Sequence, residues 1–340
     1  MIDRIAIDAM GGDFGPSEIV PAAAYSLKKH KNLILILVGN EDIIRSELIK
    51  NKVSLSERLM IEHAPEAIEM HEAPAQALRN KKQSSMRIAI EQVKDARADA
   101  CVSAGNTGAL MAISKYVLKM LPGIERPAIC SPMPGLEGQS HLLDLGANVN
   151  PSSDQLLQFA VMGSELSSAI DNIKSPTIGL LNVGAEEMKG DGRVKQAALL
   201  LSNSSLNYVG FVEGTDIYTG KVNVIVTDGF TGNIAIKASE GVAKLFSHHI
   251  KNEFSSSYYG KISAILTMPV LKEIMHKIDP RRYNGASLLG LRRIVVKSHG
   301  SADRTSFSHA IDEAVLEVDK NVPEKISMGL EKFLNGNAII

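Results

Sequence analysis

Short apolar runs recur along the chain, and between them apolar residues return every three or four positions. The runs predict strands over 4–9, 33–38, 59–63, 99–103, 128–133, 141–145, 177–181, 208–213, 222–227 and 293–297. Several are apolar without a break, such as LILILV at 33–38, which is the pattern of a strand covered on both faces. Helical periodicity fills the gaps, most clearly at 84–97, 108–120, 154–169 and 233–250. Strand alternating with helix predicts a mostly parallel sheet in a three-layer α/β/α sandwich.

A chain of 340 residues suits two lobes or one large α/β unit. We read 1–340 as a single catalytic module of two lobes. Prolines and glycines cluster at 121–138 (LPGIERP, SPMPGLEG), which reads as a lobe hinge or, more plainly, as a connection between strands. The segment 245–280 differs from the rest. Ile262, Ile265 and Leu266, then Val270, Leu271 and Ile274, follow helical spacing, and Pro269 is expected to kink the helix or start a second one. Lys251, Lys261, Lys272, Lys277, Arg281 and Arg282 flank these positions. A basic amphipathic pair of this kind suits a membrane interface or an ordinary dimer face.

Charge narrows the function classes. Lys+Arg 37 against Asp+Glu 38 leaves no basic excess, and aromatic residues are 4% with no Trp, so no nucleic-acid partner is expected. No leader pattern precedes the first strand and no apolar run is long enough to span a bilayer, so a cytoplasmic protein is expected. Cys101 and Cys130 lie in apolar segments and are expected buried and reduced. There is no GxSxG, no HExxH and no CxxC, and no metal or cofactor is expected.

The candidate chemistry sits in glycine-rich turns that follow strands. The first contains Asp8, Gly11, Gly12 and Asp13; its glycine spacing is neither GxGxxG nor a Walker A loop. The second contains Ser103, Gly105, Asn106, Thr107 and Gly108. Glycine lets the backbone approach a ligand, and a following helix offers unpaired N–H groups to an oxyanion. Asn106 is equally suited to be an ordinary helix N-cap. Further turns hold Asp144 and Asn148, then Gly184 and Lys189, then Asp228, Gly229, Gly232 and Asn233, and finally His299. So many turns after strands are expected to converge at one carboxyl edge of a parallel sheet.

These turns, as IAIDAMGGDFGP, SAGNTGAL, LDLGAN, LNVGAEEMKG, GFVEGTD, DGFTGN, YNGASLLGL and KSHGSAD, span 5–303. Together they resemble the PlsX family, the phosphate acyltransferases of bacterial phospholipid synthesis. The resemblance implies reversible transfer of a long-chain acyl group from acyl carrier protein to inorganic phosphate. It also implies a fold related to phosphotransacetylases and to isocitrate/isopropylmalate dehydrogenases, with two lobes around a cleft. A homodimer is implied, peripherally attached to the inner face of the membrane and feeding a membrane glycerol-3-phosphate acyltransferase. The alternative is a short-chain phosphotransacylase using acyl-CoA. With that chemistry in view, Asn106, Thr107 and Asn233 are candidate oxyanion donors, Lys189 the phosphate counter-charge and His299 a proton donor to the leaving thiolate. The apolar positions of 262–274 then read as a membrane contact, and Arg281, Arg282, Arg292 and Arg293 as a docking patch for an acidic carrier.

Overall fold

The computed structural model describes residues 3–186 and 188–337, the side chains of 272, 274–278, 280 and 334–337 excepted. Among the described residues eleven strands form one sheet: β1 (Asp3–Asp8), β2 (Leu33–Gly39), β3 (Leu59–His63), β4 (Ala100–Ser103), β5 (Ala128–Pro134), β6 (Gln139–Leu143), β7 (Ile178–Leu181), β8 (Tyr208–Val212), β9 (Val224–Val226), β10 (Ala286–Leu289) and β11 (Ile294–Lys297). The helices are α1 (Pro16–Lys29), α2 (Glu41–Lys50), α3 (Pro74–Asn80), α4 (Ser85–Lys94), α5 (Thr107–Leu118), α6 (Ser153–Ile170), α7 (Gly192–Ser202), α8 (Gly229–Ser256), α9 (Tyr258–Ile278), α10 (Arg304–Lys320) and α11 (Val322–Asn337). Every strand read from the sequence is present, to within two residues at either end. The short β10 was not expected.

Side chains alternate across the sheet, so each strand feeds two cores. Ile5, Ile7, Leu35, Leu37, Val102 and Val296 face α1, α2 and α10. On the same side Cys130, Leu143, Ile178, Leu180, Val224 and Val226 face α6, α7 and α11. The opposite face carries Ala6, Ile36, Cys101, Ile129, Leu142 and Val295 under α3, α4, α5 and the start of α8. This is the expected α/β/α sandwich. Local chemistry starts its helices where turns end: Ser84 caps α4, Asp228 caps α8, and Ser152 with Gln155 forms a capping box on α6.

The sheet order is β3-β2-β1-β4-β11-β10-β5-β6-β9-β7-β8. From β3 to β11 the strands are parallel, and from β6 to β8 they are parallel again. Between these halves β10 is antiparallel to both β11 and β5, and β5 is antiparallel to β6. Ala286, at the start of β10, pairs with Lys297 at the end of β11, whereas Leu289 at its end pairs with Ala128, close to the end of β6. The carboxyl ends of the two halves therefore leave opposite edges of the sheet. The expectation of one converging edge is corrected by this reversal, which a short run such as ASLL does not announce.

Residues 128–134 of the proline-rich stretch are β5, the strand that the apolar run there predicts. One further expectation changes. Pro269 neither starts nor ends a helix but lies inside α9. Its missing N–H leaves the Ile265 carbonyl unpaired in the helix, and Ile265 is exposed, so water can take that acceptor.

One buried polar group sits under α10 and α6. His141 Nε2 lies 2.8 Å from Asp171, which also accepts from Ser167 and Gln139. Glu313 and Glu317 of α10 face the same region. Burial pushes the Glu313 carboxyl up to about 7, Asp171 and Asp312 adding to the shift and His141 opposing it. A carboxyl raised on folding binds its proton more tightly in the folded state, so its contribution is complete below the unfolded value and fades as pH rises through about 7. Glu313→Gln is therefore expected to gain about 1–3 kcal/mol relative to the parent between pH 5 and pH 8, measured by urea unfolding at both.

Candidate functional site

On the edge where β1, β4 and β11 end, three turns are in backbone contact. Asp8 closes β1 and is buried, accepting the hydroxyls of Ser85 and Ser103, each at 2.6 Å. A Cβ at Gly11 would stand 2.7 Å from both Asp8 Oδ2 and the Gly105 nitrogen, so only glycine lets the first two turns meet. Gly12 has φ +86° and faces Gly300, whose carbonyl accepts the Asp13 N–H at 2.8 Å.

Asn106 belongs to this group but not as a free donor. Its Oδ1 accepts the Ala109 N–H at 2.9 Å, and its Nδ2 donates to Met70 O at 2.8 Å and Glu72 O at 3.0 Å. The amide is used up as an N-cap and loop staple, which corrects the oxyanion role expected of it. The next two residues are different. Thr107 and Gly108 begin α5, and their N–H groups have no acceptor among the described residues.

Cations stand around these turns. Lys297, at the end of β11, is buried, and its ammonium donates to Ala104 O at 3.3 Å and to Ser298 O. Burial brings its pKa down to about 8, with Asp8 acting in the other direction. His299 Nε2 lies 2.8 Å from Lys237 Nζ of α8, and the His299 N–H donates to Asn284 Oδ1 at 2.8 Å. An ammonium only donates, so Nε2 presents its lone pair and Nδ1–H points to Ser301 Oγ, 2.9 Å away. In that tautomer the 3.2 Å approach of the Ser301 N–H to Nδ1 is not an accepted bond. Burial, then Lys237, holds the imidazole below its ordinary pKa. That shift favours the neutral imidazole, whose Nδ1–H is directed at Ser301.

The opposite edge has a different character. Asp144, fully buried, accepts the N–H groups of Ile129, Leu145, Ala147 and Asn148 at 2.5–3.2 Å. Asn148 is itself buried, with Nδ2 donating to Pro127 O and Asp144. This turn is an anion nest filled by its own carboxylate. Gly229 and Gly232 pack against it, and a Cβ at either would strike the backbone of Asn148 or Asp144. Asn148, Gly229 and Gly232 are thus placed in packing rather than toward a ligand, a correction to their expected role. Asp228 caps α8 through Thr231. Lys189 and Gly184 sit on the loop after β7, where the Lys189 ammonium pairs with Glu186 at 2.8 Å, both exposed. Among the described residues no contact joins Lys189 to His299.

α8 links the two edges. Asn233 stands beside Gly146 at the second edge, and Lys237 reaches His299 at the first. Being four apart they share one helix face, about 6 Å apart along the axis. Ser85, Lys237, Asn284 and Lys297 were missed in the sequence. Lys237 had one usable signal, its i+4 spacing from Asn233. A small cavity lined by Pro151, Leu180, Arg193, Thr227 and Asp228 and a groove lined by Lys28, Asn51, Lys52 and Arg58 include none of the first-edge turn residues.

The apolar face of 262–274 is exposed: Ile265 at 75%, Leu266 at 77% and Val270 at 62%, with Ile262 and Leu271 less so; the Ile274 side chain lies outside the described residues. Within α8 only Gly229 and Gly232 are buried, and among the described residues α9 has no buried side chain. Arg281, expected in a docking patch, is instead bound to Asp279 and Asp303 at 2.7 and 2.9 Å.

The chain matches the family model described as "Fatty acid synthesis protein" over residues 3–325. It is 58% identical over 322 residues to a phosphate acyltransferase of Methylococcus capsulatus, covering 95% of each chain. It is 55% identical over 336 residues to a phosphate acyltransferase of Nitrosococcus oceani, covering 99% of each. Among solved structures it is similar to a phosphotransacetylase from Streptococcus pyogenes (TM-score 0.62, 19% identity, 95% of this chain and 94% of that one). It is also similar to a branched-chain phosphotransacylase from Enterococcus faecalis (TM-score 0.60, 15% identity, 93% and 99%). At such identities the structural likeness speaks for the fold.

Proposed function

Since the chain belongs to the phosphate acyltransferase family of fatty acid and phospholipid synthesis, we propose that it transfers a long-chain acyl group from acyl carrier protein to inorganic phosphate. The observation that supports this best is the first-edge face. Three glycine turns meet there around the open N–H groups of α5, with Lys237 and the buried Lys297 beside them. A helix N-terminus and neighbouring cations suit a small dianion.

In the reaction a phosphate oxygen bonds to the thioester carbonyl carbon and the carbon–sulfur bond breaks. The proton of HPO₄²⁻ ends on the sulfur, so acyl-phosphate leaves as a dianion and the carrier as its thiol. Phosphate is already an oxyanion and needs positioning rather than activation. A thiol leaving group with pKa about 8.5 makes a strong general acid unnecessary, in keeping with a neutral His299. Asn233, exposed on the same α8 face as Lys237, is the donor we assign to the tetrahedral oxyanion. Attack is direct, without an acyl-enzyme: Cys101 and Cys130 are both buried, and burial pushes their thiols well up, away from the reactive thiolate.

The exposed apolar hairpin supports a protein that works as a homodimer at the inner face of the membrane, handing its product to a membrane glycerol-3-phosphate acyltransferase. No helix among the described residues is long and apolar enough to cross a bilayer, so the contact proposed is peripheral, through Ile262, Ile265, Leu266, Val270 and Leu271.

Incubation with palmitoyl-carrier protein is expected to give a hydroxylamine-sensitive product only when phosphate is present. Turnover with palmitoyl-CoA but not with the carrier would sink the donor assignment. Ile265→Glu is expected to abolish sedimentation with anionic vesicles while leaving turnover in solution within about twofold, since one buried charge opposes insertion by a few kcal/mol; unchanged sedimentation would remove the membrane contact.

A further inference from the structure

Lys297 has its ammonium on the Ala104 and Ser298 carbonyls, and between Lys189 and Lys237 the geometry points to Lys237 as the side chain that meets the phosphate dianion, with His299 as the residue that positions it. This deepens the acyl-phosphate reading and rests on it for the identity of the anion. Lys189 lies on the loop after β7, where it pairs with Glu186 much as Lys237 pairs with Glu240, but at that edge the amides of the nest are taken by Asp144. Lys237 stands at the only group of turns, among the described residues, where glycine backbones of three strands meet beside an open helix N-terminus.

Its ammonium is held from two sides. Glu240, one turn further along α8, approaches at 3.0 Å, and His299 Nε2 at 2.8 Å. His299 is fixed in turn by Asn284, whose Oδ1 takes its N–H while Nδ2 donates to Ser298 Oγ and Ser306 O, each at 2.8 Å. A neutral imidazole that is bound at its own backbone and aims a lone pair at an ammonium is a positioning device: it orients the cation without cancelling its charge. Glu240 is the contact a dianion would compete with. The charged groups acting on the His299 ring are Lys237, Glu240 and Lys244 of α8 and Lys297 of β11. Three of these four are cations, consistent with a place prepared for an anion.

Three measurements on the full chain test the assignment. With inorganic phosphate as the only ligand, isothermal titration of Lys237→Met is expected to show phosphate affinity reduced at least about tenfold, the worth of one charge-assisted hydrogen bond. Lys237→Arg is expected to recover most of it. In steady-state turnover the KM for phosphate rises in Lys237→Met while that for the acyl donor stays within about twofold. In histidine-labelled protein the His299 resonance, assigned through His299→Gln, titrates at higher pH once Lys237 is replaced by Met, because a neighbouring positive charge has gone. Unchanged phosphate affinity in Lys237→Met, or a His299 midpoint that does not move, overturns the assignment. If phosphate binding and the histidine shift behave as stated but palmitoyl-carrier protein is not a donor, the donor reading fails and the role of Lys237 stands.

Discussion

The antiparallel insertion of β10 between two parallel half-sheets governs the rest of the molecule. Were β11 followed by another parallel strand, all the glycine turns would leave one edge, as in an open parallel sheet. Because β10 and β5 each run against a neighbouring half, the turns after β1, β4 and β11 leave one edge and those after β6, β7 and β9 leave the other. An element must then cross the sheet if both sets are to serve one reaction. α8 is that element. It begins in the packed turns of the second edge, crosses the face shared with α5, and presents Lys237 to the first edge before continuing into the exposed hairpin.

The two edges resemble each other in sequence and differ in electrostatics. At both, glycine-rich turns gather backbone N–H groups. At the second they are spent on Asp144, whose buried carboxylate takes four of them and the Asn148 amide as well. That nest is a structural staple joining the start of β5 to the end of β6. At the first edge Asp8 is satisfied mainly by the Ser85 and Ser103 hydroxyls, leaving the Thr107 and Gly108 amides open. The same turn chemistry thus makes a filled anion site in one half and an open one in the other.

Much of this was legible in the residues. Unbroken apolar runs such as 33–38 gave strands, and their alternation with amphipathic stretches gave the layered fold. The strand β10 was hidden because four residues do not establish a period. The direction of β10 and β5, on which the separation of the turns depends, leaves no mark in hydrophobic pattern at all. Glycines marked every turn, yet Gly11 and Gly229 look alike in sequence, and only their neighbours tell a ligand-facing turn from a packed one. Asn106 suits both a donor and a cap in sequence, and its hydrogen bonds fit the cap. Nothing in the pattern singles out Lys297 or Lys237, since a lysine at a strand end or on a helix is common; burial distinguishes the first, and the approach of a loop 62 residues away in sequence distinguishes the second.

The hairpin of α8 and α9 is tied to the first-edge turns at both of its roots, by Lys237 on the way out and by Asn284 on the way back. Whatever covers its exposed apolar face is therefore mechanically adjacent to the turn that holds His299. All of this turns on where the anion sits. A crystal structure of the protein soaked in inorganic phosphate addresses that directly: the account predicts density within hydrogen-bonding distance of the Thr107 and Gly108 amides and of Lys237, whereas a phosphate held by Lys189 on the loop after β7, with the α5 terminus left to solvent, would contradict it.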